Sequence, residues 1–201
     1  METDVLIPLK RLDAAKSRLA PALSVAERRR LMEAMVGHVA RTALAADAGR
    51  VVLVSSDPAA PELAERLGIG CVSDAGLPWN PGLAHARLRL PAPAGGVLYL
   101  AGDLPLLEVA DVAALLDAGQ EGTAVIGRAH EGGTNALLVH PATAFEPAFG
   151  TRESAAVHAA RAEECGLEVV VLDRPGIARD IDTPADLALA RSLLQGAAGV
   201  I

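Results

Sequence analysis

Three carboxylates and four cations stand at spacings that chemistry could use. Asp103 lies in the run Val97-Leu-Tyr-Leu-Ala-Gly-Asp-Leu-Pro-Leu-Leu107, just past four apolar residues. An acid there falls at the carboxyl edge of a buried strand, the edge where open α/β sheets bind ligands. Asp180 and Asp182 also follow a strand, through a Pro-Gly loop. Asp-Thr-Pro-x-Asp is at the same time a capped helix start, with Thr183 as cap, Pro184 first in the helix and Asp186 near its positive end. Asp186 fits that duty, and Asp180 and Asp182 exceed it. With Asp103 they make a two-part site for Mg²⁺, a hard cation that takes carboxylate oxygens and shares its shell with phosphates and water. Lys10, Arg11, Lys16 and Arg18 follow the first strand, Val5 to Pro8, within nine residues. In a chain of net charge −7 they read as a grip on a polyphosphate, against the blander reading of a solvated basic turn. That position carries neither G-x-G-x-x-G nor a Gly-Lys-Ser/Thr loop, so bound phosphates must be held by side chains and a metal.

Weaker signals accompany these. Gly132-Gly133-Thr134-Asn135 lets amides and a hydroxyl converge on an anion, although such a run is also an ordinary hairpin turn. Gly150 and Ser154 precede a helix whose amino end favours anions, and Ser154 reads equally well as a plain N-cap. Histidines 38, 85, 130, 140 and 158 show no ligand spacing; only His158, a turn after Ser154, stays a candidate. No Ser/His/Asp or Cys/His set stands out.

The elements that must carry these residues follow from patterning. A chain of 201 residues with 51% hydrophobic and 2% aromatic content fits one domain with a Leu/Val/Ile/Ala core. That core suits a parallel sheet under Ala/Leu helices and leaves little aromatic surface for stacking bases. The acidic balance argues against nucleic acid or an acidic membrane as partner. Strands are expected at 5–8, 51–54, 69–72, 97–100, 124–127, 136–139 and 168–172. Helices are expected from the capping box Ser24-Val-Ala-Glu27 to near Gly49, and over 61–67, 83–90, 109–117, Ser154 to about Cys165, and from Pro184. Trp79 and Asn80 fall in a loop over 74–82. Alternation of strand and helix predicts a mainly parallel α/β sheet, and the short link into 136–139 makes that strand antiparallel to its predecessor. Cys71 and Cys165 read as reduced, buried residues of a cytoplasmic protein. Neither a signal peptide nor a bilayer-spanning run is seen. Residues 91–96 form a loop too short for a domain linker. The tail Gly196-Ala-Ala-Gly-Val-Ile201 reads either as disordered or as docked on a partner subunit, which leaves a homodimer open.

Taken together, Ile7-Pro-Leu-Lys10, Ala15-Lys-Ser-Arg-Leu-Ala-Pro21, Gly102-Asp-Leu-Pro105, Gly132-Gly-Thr-Asn-Ala-Leu137, Phe149-Gly150 with Ser154, and Asp180-Ile-Asp-Thr-Pro184 occur in the order found in a known family. The chain resembles the 2-phospho-L-lactate or phosphoenolpyruvate guanylyltransferases of deazaflavin-coenzyme biosynthesis, within the wider molybdopterin-guanine-transferase-like nucleotidyltransferases. The resemblance implies a Rossmann-like, mainly parallel mixed sheet with helices on both faces, similar to nucleotide-diphospho-sugar transferases. It implies transfer of GMP from GTP to a phosphorylated three-carbon acid with Mg²⁺ and release of pyrophosphate. By position, Asp103, Asp180 and Asp182 resemble the metal ligands, and Lys10, Lys16 and Arg18 the triphosphate grip. Thr134, Gly150 and Ser154 resemble the contacts to the acid, and Asn80 sits near the nucleoside. The usual Phe-Gly-Pro-Gly-Ser is one residue longer here, Phe149-Gly-Thr-Arg-Glu-Ser154, and Pro78-Trp-Asn-Pro81 replaces the Gly-Leu-Asn run. Two other readings remain at this point: a nucleotidyltransferase for a different phosphorylated acceptor, such as a sugar phosphate, and a nucleotide-binding domain without catalysis.

Overall fold

The structure is a computed structural model that describes residues 3–90 and 95–196. The expected loop over 91–96 and the tail fall mostly outside these residues. Among the described residues seven strands form one sheet: β1 (Thr3–Pro8), β2 (Val51–Val54), β3 (Gly70–Val72), β4 (Gly96–Leu100), β5 (Thr123–Arg128), β6 (Thr134–His140) and β7 (Glu168–Leu172). Their order is β3-β2-β1-β4-β6-β5-β7, so the Asp103 strand lies in the middle. Of these seven, only β6 runs against its neighbours, pairing antiparallel with both β4 and β5. That reversal brings the amino end of β6, with Thr134 and Asn135, to the edge where β4 ends.

Residues of β1 and β4 alternate between the two faces of the sheet, as the two-residue period of a strand requires. Val5, Ile7, Leu98 and Leu100 face one cluster, which α1 (Val25–Ala45), α2 (Ala60–Leu67) and α4 (Val109–Ala118) cover. Leu6, Val97 and Tyr99 face the other, under α3 (Trp79–Leu88) and α5 (Ser154–Glu164). Both faces are buried, which is why these strands read as unbroken apolar runs. Ser24 caps α1 with the expected reciprocal bonds to Glu27, and Gly68 ends α2 in the left-handed region at φ 69°.

Three expectations are corrected. α3 begins at Trp79, four residues early, so Trp79 and Asn80 are helical. Pro81 is accommodated there because, at the third helical position, its missing N–H is one that no helix can satisfy internally. Cys71 and Cys165 are exposed, not buried, because β3 is a short edge strand and Cys165 sits at the C-cap of α5. A four-residue helix, α6 (Pro175–Ala178), precedes α7 (Pro184–Gly196) and was not expected.

That short helix positions the second acidic motif. Arg174, its N-cap residue, donates from Nε to the Asp111 carboxylate at 2.6 Å. Asp111 is buried on α4 and also accepts the Glu108 amide at 2.9 Å as part of that helix's cap. A Cβ at Gly176 would overlap the same carboxylate and the Leu106 carbonyl, so only glycine lets the chain pass this close. Removing the buried acid breaks the cap and the ion pair together. Asp111→Ala is expected to cost about 2–3 kcal/mol, and Asp111→Asn less, read from urea midpoints at unchanged m.

Candidate functional site

A cavity of about 840 Å³ opens where β1 and β4 end and β6 begins. Lys10, Lys16, Arg18, Asp103, Thr134, Gly150, Ser154, Asp180 and Asp182 all line it. A smaller cavity of about 280 Å³ adjoins, and Pro8, Leu9, Lys10 and Trp79 line both.

The acidic wall is assembled from two distant segments. Asp103, Asp180 and Asp182 each offer a carboxylate oxygen, all within 4.8 Å of one another. Gly102 fixes the first of them: a Cβ there would lie 3.0 Å from Val36 of α1 and 3.3 Å from the Pro8 carbonyl, so the turn packs directly against the end of β1. Asn135 fixes another. Its carbonyl accepts the Ala101 amide at 2.8 Å, and its side chain donates to the Ile177 carbonyl at 2.8 Å and to Asp180 at 3.3 Å. One buried asparagine thus ties the end of β4 to the Asp180 loop. In the sequence Asn135 falls in the Gly132–Asn135 turn, before the strand expected at 136–139, and nothing local marks this role. Burial, and then the neighbouring Asp103 carboxylate, push the Asp180 carboxyl above the usual carboxylate range. Asp186 instead caps α7, accepting the Thr183 amide at 2.7 Å, as expected.

Lys16 stands against this wall. Its side chain is 7% exposed, and Nζ donates to Asp103 and, at 2.9 Å, to Asp182. Burial works against its charge, but the two carboxylates outweigh that and hold its pKa above the ordinary value. The backbone of Lys16 is left-handed, at φ 51° and ψ 42°, a conformation that needs outside support in a non-glycine residue. The loop supplies that support through the bond from the Leu12 amide to Asp57 at 2.7 Å. Arg28 adds bonds to the Ala15 carbonyl at 3.2 Å and the Leu23 carbonyl at 2.9 Å. The other cations divide. Arg18 is exposed and reaches Asp182 at 3.3 Å, Lys10 lies 4.6 Å over the Trp79 ring, and Arg11 pairs with Asp13 at the surface.

The opposite wall is built from hydroxyls and a glycine. Ser154 is buried, with its Oγ 3.2 Å from Thr134 Oγ1, while the N-cap of α5 is Glu153; the plain-cap reading of Ser154 is therefore replaced. Gly150 has φ 106°, which a side chain would strain. Gly132 brings the β5–β6 turn against this loop, since a Cβ there would sit 2.8 Å from the Arg152 carbonyl. Asn80, expected beside the nucleoside, lines neither cavity. Its Oδ1 accepts the Phe149 amide at 2.8 Å and its Nδ2 donates to the Phe149 carbonyl at 3.1 Å, so it clamps the Gly150 loop from α3.

A mixed sheet of this order, with a two-part cavity at its edge and acids and a lysine beneath, has the fold of a nucleotide-diphospho-sugar transferase. A solved structure of that description from Desulfovibrio desulfuricans superposes with a TM-score of 0.78 at 18% identity, covering 98% of this chain and 90% of the other. The chain itself belongs to the family described as "Guanylyl transferase CofC like", whose model matches residues 3–197. It is 39% identical to a phosphoenolpyruvate guanylyltransferase of Conexibacter woesei, across 99% of this chain and 92% of the relative. It is 36% identical to a 2-phospho-L-lactate guanylyltransferase of Methanothermobacter thermautotrophicus, across 93% and 83%. Among the described residues no helix is long and apolar enough to cross a membrane.

A buried titratable group lies behind Thr134. His158 is fully buried, and burial, with Arg161 nearby, lowers its pKa from 6.5 to about 4. The neutral ring is therefore the native form. The stability it supports is complete above about pH 6.5 and is lost as pH falls from there through 4, up to about 3 kcal/mol in all. Histidine-ring NMR of the folded protein is expected to show this imidazole still neutral at pH 5.

Proposed function

We propose that this protein transfers GMP from GTP to the phosphate of a phosphorylated three-carbon acid. Phosphoenolpyruvate, 2-phospho-L-lactate and 3-phosphoglycerate are the acceptors of that class, pyrophosphate is released, and the product serves deazaflavin-coenzyme biosynthesis. The observation that carries this reading is one cavity with three carboxylates and Lys16 on one wall and Thr134, Gly150 and Ser154 on the other. The names of the relatives support guanylyl transfer in particular.

Asp103, Asp180 and Asp182 would hold Mg²⁺. The donor set fits, being all carboxylate oxygen within 4.8 Å of one another. When bound, such an ion supplies charge that offsets the triphosphate and the departing pyrophosphate. Lys16, close to the acids, and Lys10 and Arg18, nearer the mouth, grip the triphosphate. The smaller cavity is the room left for the nucleoside, with Trp79 and Leu83 as apolar walls. Thr134, Ser154 and the Gly150 amide hold the acid.

A phosphate oxygen of the acid attacks the α-phosphorus. A new P–O bond forms, the bond to the bridging β-oxygen breaks, and pyrophosphate leaves with that electron pair. A phosphomonoester has its second pKa near about 6, so it is largely dianionic at neutral pH and needs no general base. The task of the protein is to bring two anions together, which the cations and hydroxyl donors do.

Pyrophosphate release, measured with GTP, ATP and CTP against each of the three acids, tests the reading. Release is expected with GTP and one acid. Silence across the grid while GTP still binds would overturn the assigned reaction. Asp103→Asn is expected to keep the urea midpoint and lose about a hundredfold or more in kcat. Near-normal turnover in that variant would overturn the metal assignment.

A further inference from the structure

Behind the hydroxyl wall lies a histidine that does not face the cavity. His158, on α5, is fully buried, with its ring 4.9 Å from Phe149 edge to face. Both its nitrogens are engaged. Nε2 lies 2.8 Å from the Ala148 amide, and Nδ1 lies 2.9 Å from Thr134 Oγ1. A backbone N–H can only donate, so Nε2 carries no proton. The single ring proton of the neutral imidazole is therefore on Nδ1, and Nδ1–H donates to the threonine oxygen.

We infer that His158 is a positioning residue that fixes the polarity of the Thr134–Ser154 pair, so that the pair always presents a hydroxyl proton to the acceptor acid. The reasoning is a count of protons. Thr134 and Ser154 lie 3.2 Å apart and own two hydroxyl protons. One is used between them. The other cannot go to the imidazole, because Nδ1 is already a donor. It must point outward, and both residues line the cavity. The pair is thus a donor toward the cavity, whichever of the two hydroxyls carries the outward proton. Such a donor takes an anionic oxygen, of carboxylate or phosphate, and gives a poor partner to a hydroxyl hydrogen.

The same ring also sets the loop. Ala148 is bound by His158 and Phe149 by Asn80, so two successive residues before Gly150 are held by side chains from two different helices. Gly150, at φ 106°, then turns the chain into the cavity. One imidazole therefore aligns the hydroxyl donor and the amide-bearing loop on the same wall.

This inference rests on the proposed reaction for its kinetic test only. Nitrogen-15 NMR of labelled wild-type protein at pH 7, with His158 assigned through its contacts to Phe145 and Phe149, reports which nitrogen carries the proton. The Nδ1–H tautomer is expected; an Nε2–H tautomer or an imidazolium would overturn the inference. Wild-type turnover with GTP and the acid checks the reaction itself. If that turnover is absent, the reaction has failed while the tautomer still decides the inference. With turnover present, His158→Phe keeps the ring's volume and removes both nitrogens. It is expected to raise KM for the acid about tenfold or more and to leave KM for GTP within about twofold. His158→Asn, whose amide can donate from nearly the Nδ1 position, is expected to recover most of that loss. Equal changes in both KM values, or no change in either, would mean that the ring only fills space.

Discussion

Mutual repulsion of carboxylates is the constraint around which this protein is arranged. Three acid oxygens lie within 4.8 Å of one another, and at an effective dielectric of about 20 each such pair costs about 3 kcal/mol or more. An isolated chain would not fold to that arrangement for its own sake. The surroundings offset the cost with Lys16, whose ammonium bridges Asp103 and Asp182, and with the Asn135 amide on Asp180. They do so from the middle of the sheet and the loops packed at its edge. Asp103 follows the central strand, Asn135 lies on the strand beside it, and Lys16 ends a loop bolted to Asp57 and Arg28. The left-handed backbone at Lys16 is part of the same arrangement, since strain of that kind persists only where neighbours over-determine it. A site so loaded with negative charge fits the cation and the polyanion of the proposed reaction.

The facing wall obeys a different rule. It carries no buried charge, and its donors are hydroxyls and amides whose directions are set by what lies behind them. His158 and Asn80 each spend side-chain bonds on the backbone of the loop before Gly150. Loops normally satisfy their backbone with water, so a loop satisfied by buried side chains is held in one shape. Two walls with opposite strategies, one charged and one neutral, suit a reaction between two anions. In the proposed reaction the charged wall would take the triphosphate with its cation, and the neutral wall would orient the second anion with few formal charges of its own.

Much of this was readable from residue patterns, for stated reasons. The central strand, the capping boxes at Ser24 and Thr183, the antiparallel turn of β6 and the placement of Asp103, Asp180, Asp182 and Lys16 all follow from local rules of burial, capping and chain length. What was not readable depends on contacts between distant residues. Asn80 is placed near the nucleoside by its position in the resemblance alone, since Pro78-Trp-Asn-Pro81 departs from the family's run, whereas its hydrogen-bond partner, Phe149, lies 69 residues away. Asn135 looked like part of a turn, and its work is done on a helix of four residues that carries too little periodicity to be seen. Burial of cysteines was inferred from residue type, and an edge strand and a helix end defeat that average.

The lengthened segment Phe149-Gly-Thr-Arg-Glu-Ser154 shows how a sequence departure can leave a site intact. An extra residue in a binding loop shifts everything after it unless the surplus is expelled. Here Thr151 and Ser154 close a turn, with the Ser154 amide 3.2 Å from the Thr151 carbonyl, and Arg152 swings out to pair with exposed Glu131 at 2.8 Å. Both arginine and glutamate stay largely in water, so the pair contributes little stability. What it does is keep the surplus on the surface. Gly150 remains at the cavity on one side of the turn, and Ser154 remains buried against Thr134 on the other. The fixed points are the ones held from behind, by Asn80 and His158, and the tolerant point is the exposed turn at the rim of the cavity, where Arg152 meets Glu131. Variation between relatives at this loop should therefore collect at the positions of Thr151, Arg152 and Glu153, where a change of charge alters the rim of the cavity without moving Gly150 or Ser154.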